Sequence, residues 1–227
     1  MTSALKDTIL SDLRAVGDSE QAKIIAGYLK TSKLEFLGVK IPEIGKIVTR
    51  HIRGHTSEEL LTLMRELWME PIFESRRGAI DVLKKYVVAG DIDTSIGIID
   101  GWINDMDTWA LMDPIGSNCQ GELLLRRPEL EALYARWGKS DNFWRRRASI
   151  LPYLYLSLKR NYRKDFAERI FKAIEPHIDD AEFFVGKAAG WVLRELSKRE
   201  PKLAKDFIQK NREKMTPLVL KEASKKV

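Results

Sequence analysis

The chain has 227 residues, of which 44% are hydrophobic and 32% charged, and its formal net charge is +6. These values are typical of a folded protein that buries a substantial core, and they argue against a disordered chain. No apolar run reaches the ~20 residues needed to cross a bilayer, and residues 1–16 lack the apolar block of a secretory signal. Without such an apolar run we expect no membrane partner. Cys119 is the single cysteine, so we expect no internal disulfide and a cytoplasmic location.

Helical periodicity dominates the chain, and strand-like alternation is nearly absent. The predicted amphipathic helices, in chain order, are 3–16, 20–30, 42–52, 57–68, 73–87, 94–103, 114–125, 129–137, 142–158, 162–174, 181–198, 201–209 and 217–224. Thr56 precedes two acidic residues and suits a helix start. Pro42, Pro114, Pro128 and Pro201 suit first-turn positions. Connections are short and no linker is evident, so we predict an all-α fold with one domain over residues 1–227.

Three helices share an internal echo. Residues 73–80, 143–150 and 183–190 align without gaps, each with an aromatic residue, a basic residue four positions later and then two small residues. The steps of 70 and 40 residues fit HEAT-like units of ~40 residues, although amphipathic helices also resemble one another by chance. The echo favours stacked helical hairpins.

The basic positions of this echo are Arg77, Arg147 and Lys187. Equivalent positions of a regular solenoid lie along one surface, so these three residues would form a basic row facing the phosphates of a nucleic acid. A solvated helix face that happens to be basic explains the same pattern equally well.

Two tryptophans lie beside charged residues. On one predicted helix, Lys187, Trp191 and Arg194 follow at i, i+4 and i+7 and share a face. Either this face meets a partner, or the Trp191 ring is buried under the aliphatic parts of the Lys187 and Arg194 side chains. Trp109 and Asp113 are four residues apart, one helical turn, but Pro114 disfavours a helical Asp113, which would instead cap the next helix.

No metal or nucleotide site is evident. His51 and His55 lack an intervening glutamate and an obvious third ligand, and the chain has no glycine-rich phosphate loop. We therefore expect no metal and no cofactor.

Several runs, in order, resemble the AlkD type of DNA alkylation repair protein. They cover more than 150 residues and comprise 27–30, 36–43, 65–68, the Trp-x-x-x-Asp motif at 109–113, 140–148 and 187–195. Thr108, Ala110 and Lys40 differ from the residues common in that family.

The resemblance implies a right-handed α-solenoid of HEAT-like hairpins, a C-shaped single domain that holds duplex DNA in a concave face. It implies a monofunctional DNA glycosylase that acts as a monomer and removes cationic N3- and N7-alkylated purines without flipping the base. By motif, Trp109, Asp113 and Trp191 are the catalytic residues. Arg147 and Arg194 match positions that hold the DNA backbone, and Tyr28 falls near the same cleft.

Two alternatives stay open at the level of sequence. One is a related protein that binds duplex or unusual DNA without excising a base. The other is a protein–protein scaffold, which is the commonest use of helical solenoids.

Overall fold

A computed structural model describes the backbone of residues 2–226 and the side chains of residues 4–225. It divides into two compact units, Met1–Ile115 and Gly116–Val227, and each is described by itself. The single domain expected over residues 1–227 stays a prediction. No helix in the described part of the chain is long and apolar enough to cross a membrane.

Seven α-helices lie in the described part of the first unit, residues 2–115. They are α1 (Thr2–Ala15), α2 (Ser19–Tyr28), α3 (Ile41–His51), α4 (Ser57–Met69), α5 (Phe73–Tyr86), α6 (Ile92–Asn104) and α7 (Trp109–Pro114). Helix α4 begins at a complete capping box, in which Thr56 and Glu59 satisfy each other's backbone N–H groups. The helix start that the sequence predicted at Thr56 is therefore confirmed.

Helices α3, α4 and α5 form the centre of the first unit. Leu63, Leu67 and Ile80 lie on their facing sides and are fully buried. A Cβ atom at Gly78 would lie 3.2 Å from Val48 Cγ2, so the glycine permits the close approach of α5 to α3. Full burial of each such aliphatic side chain stabilises the fold by about 1.5–3 kcal/mol.

The connection between α2 and α3 is held by a buried carboxylate. Glu74 is fully buried and accepts hydrogen bonds from the backbone N–H groups of Leu37, Gly38 and Val39. Gly38 has φ +81°, and a Cβ there would lie 2.0 Å from the Asp18 carbonyl oxygen, so the turn requires glycine. These contacts fix the chain between α2 and α3.

The second unit begins within a π-helix, Ile115–Gln120. The helices that follow are α8 (Gly121–Arg126), α9 (Leu130–Trp137), α10 (Phe143–Ile150), α11 (Pro152–Ser157), α12 (Phe166–Ile174), α13 (Phe183–Ser197), α14 (Pro201–Asn211) and α15 (Pro217–Ala223), with 3₁₀ turns at Glu175–His177 and Ser224–Lys226. Helix α13 is the centre of this unit and contacts α10, α11, α14 and α15. Its buried face includes Ala188, Val192 and Leu196, each fully buried.

All three helices of the sequence echo begin at the echoed aromatic residue. Helix α5 begins at Phe73, α10 at Phe143 and α13 at Phe183. The three basic positions of the echo are therefore equivalent in local structure, each being the fifth residue of its helix. The all-α fold is confirmed, while the solenoid arrangement stays a prediction.

Several helix predictions were wrong in their bounds. The helix predicted over 162–174 begins only at Phe166, and Pro128 precedes the N-cap of α9 instead of lying in its first turn. The single helix predicted over 142–158 is two helices, because Pro152 begins α11 and cannot continue the hydrogen-bond ladder of α10. The first-turn position predicted for Pro114 is also wrong, since Pro114 is the last residue of α7. Pro42 and Pro201 do occupy first-turn positions.

Candidate functional site

Trp109 is the first residue of α7, and its position is set by the residue before it. Thr108 is fully buried, and its hydroxyl accepts a hydrogen bond from the Ala110 N–H at 3.4 Å. Helix α7 continues through Asp113, so Trp109 and Asp113 lie one turn apart on the same side of the helix. The alternative in which Asp113 caps the following helix is wrong. Both side chains are partly exposed.

The backbone hydrogen-bond pattern of the helix changes directly after Asp113 and Pro114. Pro114 has no N–H and its ring crowds the preceding turn, so a regular α-helix is not favoured through this point. The chain continues as the π-helix Ile115–Gln120. Short π segments of this kind occur frequently at functional sites.

Tyr28, the last residue of α2, is in contact with Trp109. The two ring centroids are 5.7 Å apart and the ring planes meet at 87°, an edge-to-face arrangement. Tyr28 is 72% exposed and Trp109 is partly exposed, so the aromatic pair lies at the surface of the first unit and not in its core. The sequence placed Tyr28 near Trp109 only through the family resemblance.

Asp107 joins the segment that follows Tyr28 to the segment that precedes Trp109. Its Oδ2 accepts a hydrogen bond from the Ser32 hydroxyl at 3.1 Å and another from the Lys33 N–H at 2.7 Å. Asp107 is two residues before Trp109, and Ser32 is four residues after Tyr28. The carboxylate therefore links the segment that follows Tyr28 to the segment that precedes Trp109. Sequence reasoning did not identify this role of Asp107.

Trp191 lies on α13 in the second unit and is partly exposed. Lys187 and Arg194 flank it on the same helix, and both are bound to one carboxylate on α15. Glu222 accepts hydrogen bonds from Lys187 Nζ at 2.7 Å and from Arg194 Nη1 at 2.6 Å, and Lys225 Nζ also lies 2.7 Å from it. The two cations predicted to bind DNA thus have a common internal partner.

Glu222 is charged in the folded protein. It is 4% exposed, and burial alone would raise its pKa, but the hydrogen bonds from Lys187, Lys225 and Arg194 lower the pKa to about 2. Its position depends on Gly190, because a Cβ at that residue would lie 2.5 Å from Glu222 Cβ. Gly190 therefore lets α15 approach the face of α13 that carries Trp191.

The other two basic positions of the echo also have internal partners. Arg77 Nη1 lies 2.7 Å from Asp81 Oδ1, and both side chains are mostly buried. Arg147 is 4% exposed, and its Nη1 donates a hydrogen bond to the Phe184 carbonyl oxygen. The DNA-binding roles predicted for Arg77 and Arg147 stay predictions, and most of each side chain is covered by protein.

No three histidine, cysteine or carboxylate side chains form a metal site within the described part of the chain. Each of the two histidines considered from the sequence lies beside its own carboxylate. His51 Nε2 lies 2.6 Å from Asp12, and His55 Nδ1 lies 3.2 Å from Glu59.

Aromatic side chains at a protein surface and clustered basic residues are features that nucleic-acid-binding proteins commonly use. Residues 9–227 match the family described as DNA alkylation repair enzyme. The chain belongs to this family, as the sequence resemblance predicted, and its role is in DNA alkylation repair.

Solved structures share the fold of this chain. A structure described as a predicted DNA alkylation repair enzyme from Enterococcus faecalis is 24% identical, covers 92% of this chain and 95% of its own, and has a TM-score of 0.78. AlkD2 from Streptococcus mutans is 18% identical, with 90% of this chain and 98% of its own covered and a TM-score of 0.66. At these identities the likeness concerns the fold. No curated protein matches the chain.

Proposed function

We propose that the protein is a monofunctional DNA glycosylase that excises cationic N3- and N7-alkylated purines from duplex DNA without flipping the base. The observation that carries the proposal is the placement of Trp109 and Asp113 one turn apart on α7, with the Tyr28 ring against Trp109. Membership of the DNA alkylation repair family supports DNA as the substrate.

The reaction breaks the bond between C1′ of the deoxyribose and the alkylated nitrogen of the base. The bonding electrons move to the base, which leaves as a neutral molecule because alkylation had made it cationic. No general acid is therefore required. The sugar acquires oxocarbenium character, so the enzyme must stabilise positive charge at C1′.

The proposed residues suit this requirement. An indole face attracts a cation with a free energy on the order of 1–2 kcal/mol when water is excluded, and Trp109 supplies one such face. Asp113 adds a negative charge and positions a water molecule, which attacks C1′ and releases one proton to the surrounding water. We assign the second indole to Trp191 because its helix matches the family motif, and this assignment is a proposal.

The exposed aromatic pair supports reaction without base flipping. Enzymes that extrude a base enclose it in a fitted pocket. Tyr28 is 72% exposed and its partner Trp109 is partly exposed, which suits contact with a sugar and backbone at an open surface.

Product analysis tests the proposal. Alkylated duplex DNA incubated with the protein should release 7-methylguanine and 3-methyladenine and leave abasic sites. Because the proposed enzyme is monofunctional, the strand should break only after treatment with alkali. Release of uncharged bases at a comparable rate, or strand cleavage without alkali, would contradict the proposed chemistry.

A further inference from the structure

A groove of about 810 Å³ lies between α3 and α5 in the first unit. The groove-lining residues of α3 are mostly three or four positions apart, so they share one face of that helix. The groove-lining residues of α5 share one face in the same way. They include residues 42, 46, 49 and 50 of α3 and residue 53 in the turn after it, together with residues 81, 84 and 85 of α5 and residue 88 just after it. The groove is therefore built by two neighbouring helix surfaces.

The lining of the groove is strongly basic. Five cations face it, with one carboxylate, and these cations are Lys46, Arg50, Arg53, Lys84 and Lys85. The carboxylate, Asp81, is already bound to Arg77 at 2.7 Å. The groove thus carries a net positive charge.

Three of the five cations have no internal partner. Lys46 lies 3.1 Å from Glu43, and Arg50 lies 2.7 Å from Asp12. The remaining three form no ion pair with any carboxylate among the side chains that the structure describes, and all three are exposed; they are Arg53, Lys84 and Lys85. They differ in this respect from Arg77, Arg147, Lys187 and Arg194.

Basic residues in the last turn of a helix also complement the negative end of its dipole. This effect favours cations at any position around the last turn, and it does not by itself place them on one side of the helix. Here Arg50 in the last turn of α3 and Arg53 in the turn after it lie in the same groove as Lys84 and Lys85 of α5. Like charges on neighbouring helices repel each other, and a bound anion relieves the repulsion.

We propose that this groove is a phosphodiester-binding site that holds the DNA backbone, in addition to the residues of the candidate functional site. The proposal rests on DNA being the substrate of the proposed function, but not on base excision. Arg53 offers a planar guanidinium for bidentate contact with a phosphate, and the lysines offer point charges. Thr49 adds a neutral hydroxyl donor in the same groove.

The arrangement of the cations favours a polyanion over a single phosphate. Lys46 and Arg50 are four residues apart on α3, which corresponds to about 6 Å along the helix at 1.5 Å per residue, and Arg53 follows in the turn after α3. Duplex DNA carries one negative charge per ~1.7 Å of its axis, so several phosphates face a row of this length.

The test is the salt dependence of binding to an undamaged DNA duplex. In the variant Arg53→Ala/Lys84→Ala/Lys85→Ala, three phosphate contacts are lost. The slope of log K against log salt concentration should therefore become shallower by about 2 to 3 units, because each neutralised phosphate contributes about 0.9. The variant Lys84→Arg/Lys85→Arg, which keeps the charge, should retain the slope of the wild type.

The matched control is Lys205→Ala/Lys210→Ala/Lys214→Ala. These lysines are exposed on or just after α14, and their removal changes the net charge by the same amount. The control should keep the slope of the wild type. An unchanged slope in the groove variant, or an equal change in the control, would overturn the proposal; an acidic protein as the true partner of the groove would give the first of these results.

Excision assays separate this proposal from the proposed function. At saturating enzyme the groove variant should excise alkylated bases at the rate of the wild type, while the enzyme concentration needed for half-saturation rises. If the wild type releases no base and the groove variant still has the shallower slope, the glycosylase proposal fails and the groove remains a phosphodiester site.

Discussion

Arg194 Nη1 lies 2.6 Å from Glu222 Oε2, and the same carboxylate binds Lys187. A cation held in this way is fixed in position but has part of its charge neutralised. The carboxylate therefore determines how Lys187 and Arg194, on either side of Trp191, are presented to a ligand.

We predict that Glu222 contributes to stability in a pH-dependent manner. Its pKa falls from 4.5 to about 2 on folding, so the contribution is complete above pH 4.5 and is lost as the pH falls towards 2. At 1.36 kcal/mol for each unit of pKa, the effect is on the order of 3 kcal/mol. Urea unfolding of Glu222→Gln and wild type at pH 7 and pH 3 should show a smaller difference at pH 3.

Glu213→Gln is the control for this prediction, because Glu213 is exposed and lies outside the cluster. Its free energy of unfolding should match that of the wild type at both pH values. An equal loss in Glu222→Gln at pH 7 and pH 3 would show that the carboxylate charge is not what stabilises the fold.

Gly190→Ala should destabilise the second unit. The added Cβ would meet Glu222 Cβ at 2.5 Å and the Val219 carbonyl oxygen at 3.2 Å, and such overpacking typically costs about 1–3 kcal/mol. Gly97→Ala is the opposite control, since nothing lies within 4 Å of a Cβ there and the residue is inside α6. Gly97→Ala should raise the free energy of unfolding by about 0.5–1 kcal/mol. Thermal unfolding of the two variants measures both effects.

Tyr28→Ala should slow base excision, with a loss of stability no larger than the energy of one ring contact. The edge-to-face contact with Trp109 is lost, and such contacts contribute about 0.5–1.5 kcal/mol to the folded state. Where that energy serves to hold the indole in position for the reaction, its loss corresponds to a rate reduced by about 2- to 12-fold. Tyr28→Phe retains the ring and should keep nearly the full rate. Single-turnover excision measures the effect, and equal rates for all three proteins would remove Tyr28 from the site.

Asp107→Ala should reduce excision through the same aromatic pair. Without the carboxylate, Ser32 and the Lys33 N–H lose their partner and the chain around Tyr28 is no longer fixed. A double-mutant cycle with Tyr28→Ala tests this route, because both changes act on one contact and their effects should not add. Additive effects would show that Asp107 acts independently of Tyr28.

Local features of the site could be predicted from the sequence. Helices were predicted to begin at residues 73, 142 and 181, and the observed helices begin at Phe73, Phe143 and Phe183, which are the aromatic residues of the echo. The spacing of Trp109 and Asp113 predicted one helical turn, although Pro114 favoured an Asp113 that lies outside the helix and caps the next one. The π-helix relieves that conflict, and nothing in the local sequence signals it.

Contacts between distant segments could not be predicted. Glu222 is 35 residues from Lys187 and 28 from Arg194, and Asp107 is 75 residues from Ser32. Charge patterns along a helix show which cations share a face, but they do not show which carboxylate another helix brings to them. For this reason the sequence identified the cations around Trp191 and missed their common partner.

In the proposed reaction, Asp113 and the indole of Trp109 act together on the sugar of a cationic nucleotide. The most direct measurement is the single-turnover release of 7-methylguanine from alkylated duplex DNA by wild type, Trp109→Ala, Asp113→Asn and Asp206→Asn, the last being an exposed carboxylate on α14. We predict rapid release by the wild type and Asp206→Asn, a rate about 5- to 30-fold lower for Trp109→Ala, and a still lower rate for Asp113→Asn. Equal release by Asp113→Asn and the wild type, or no release by any of the four proteins, would contradict the account.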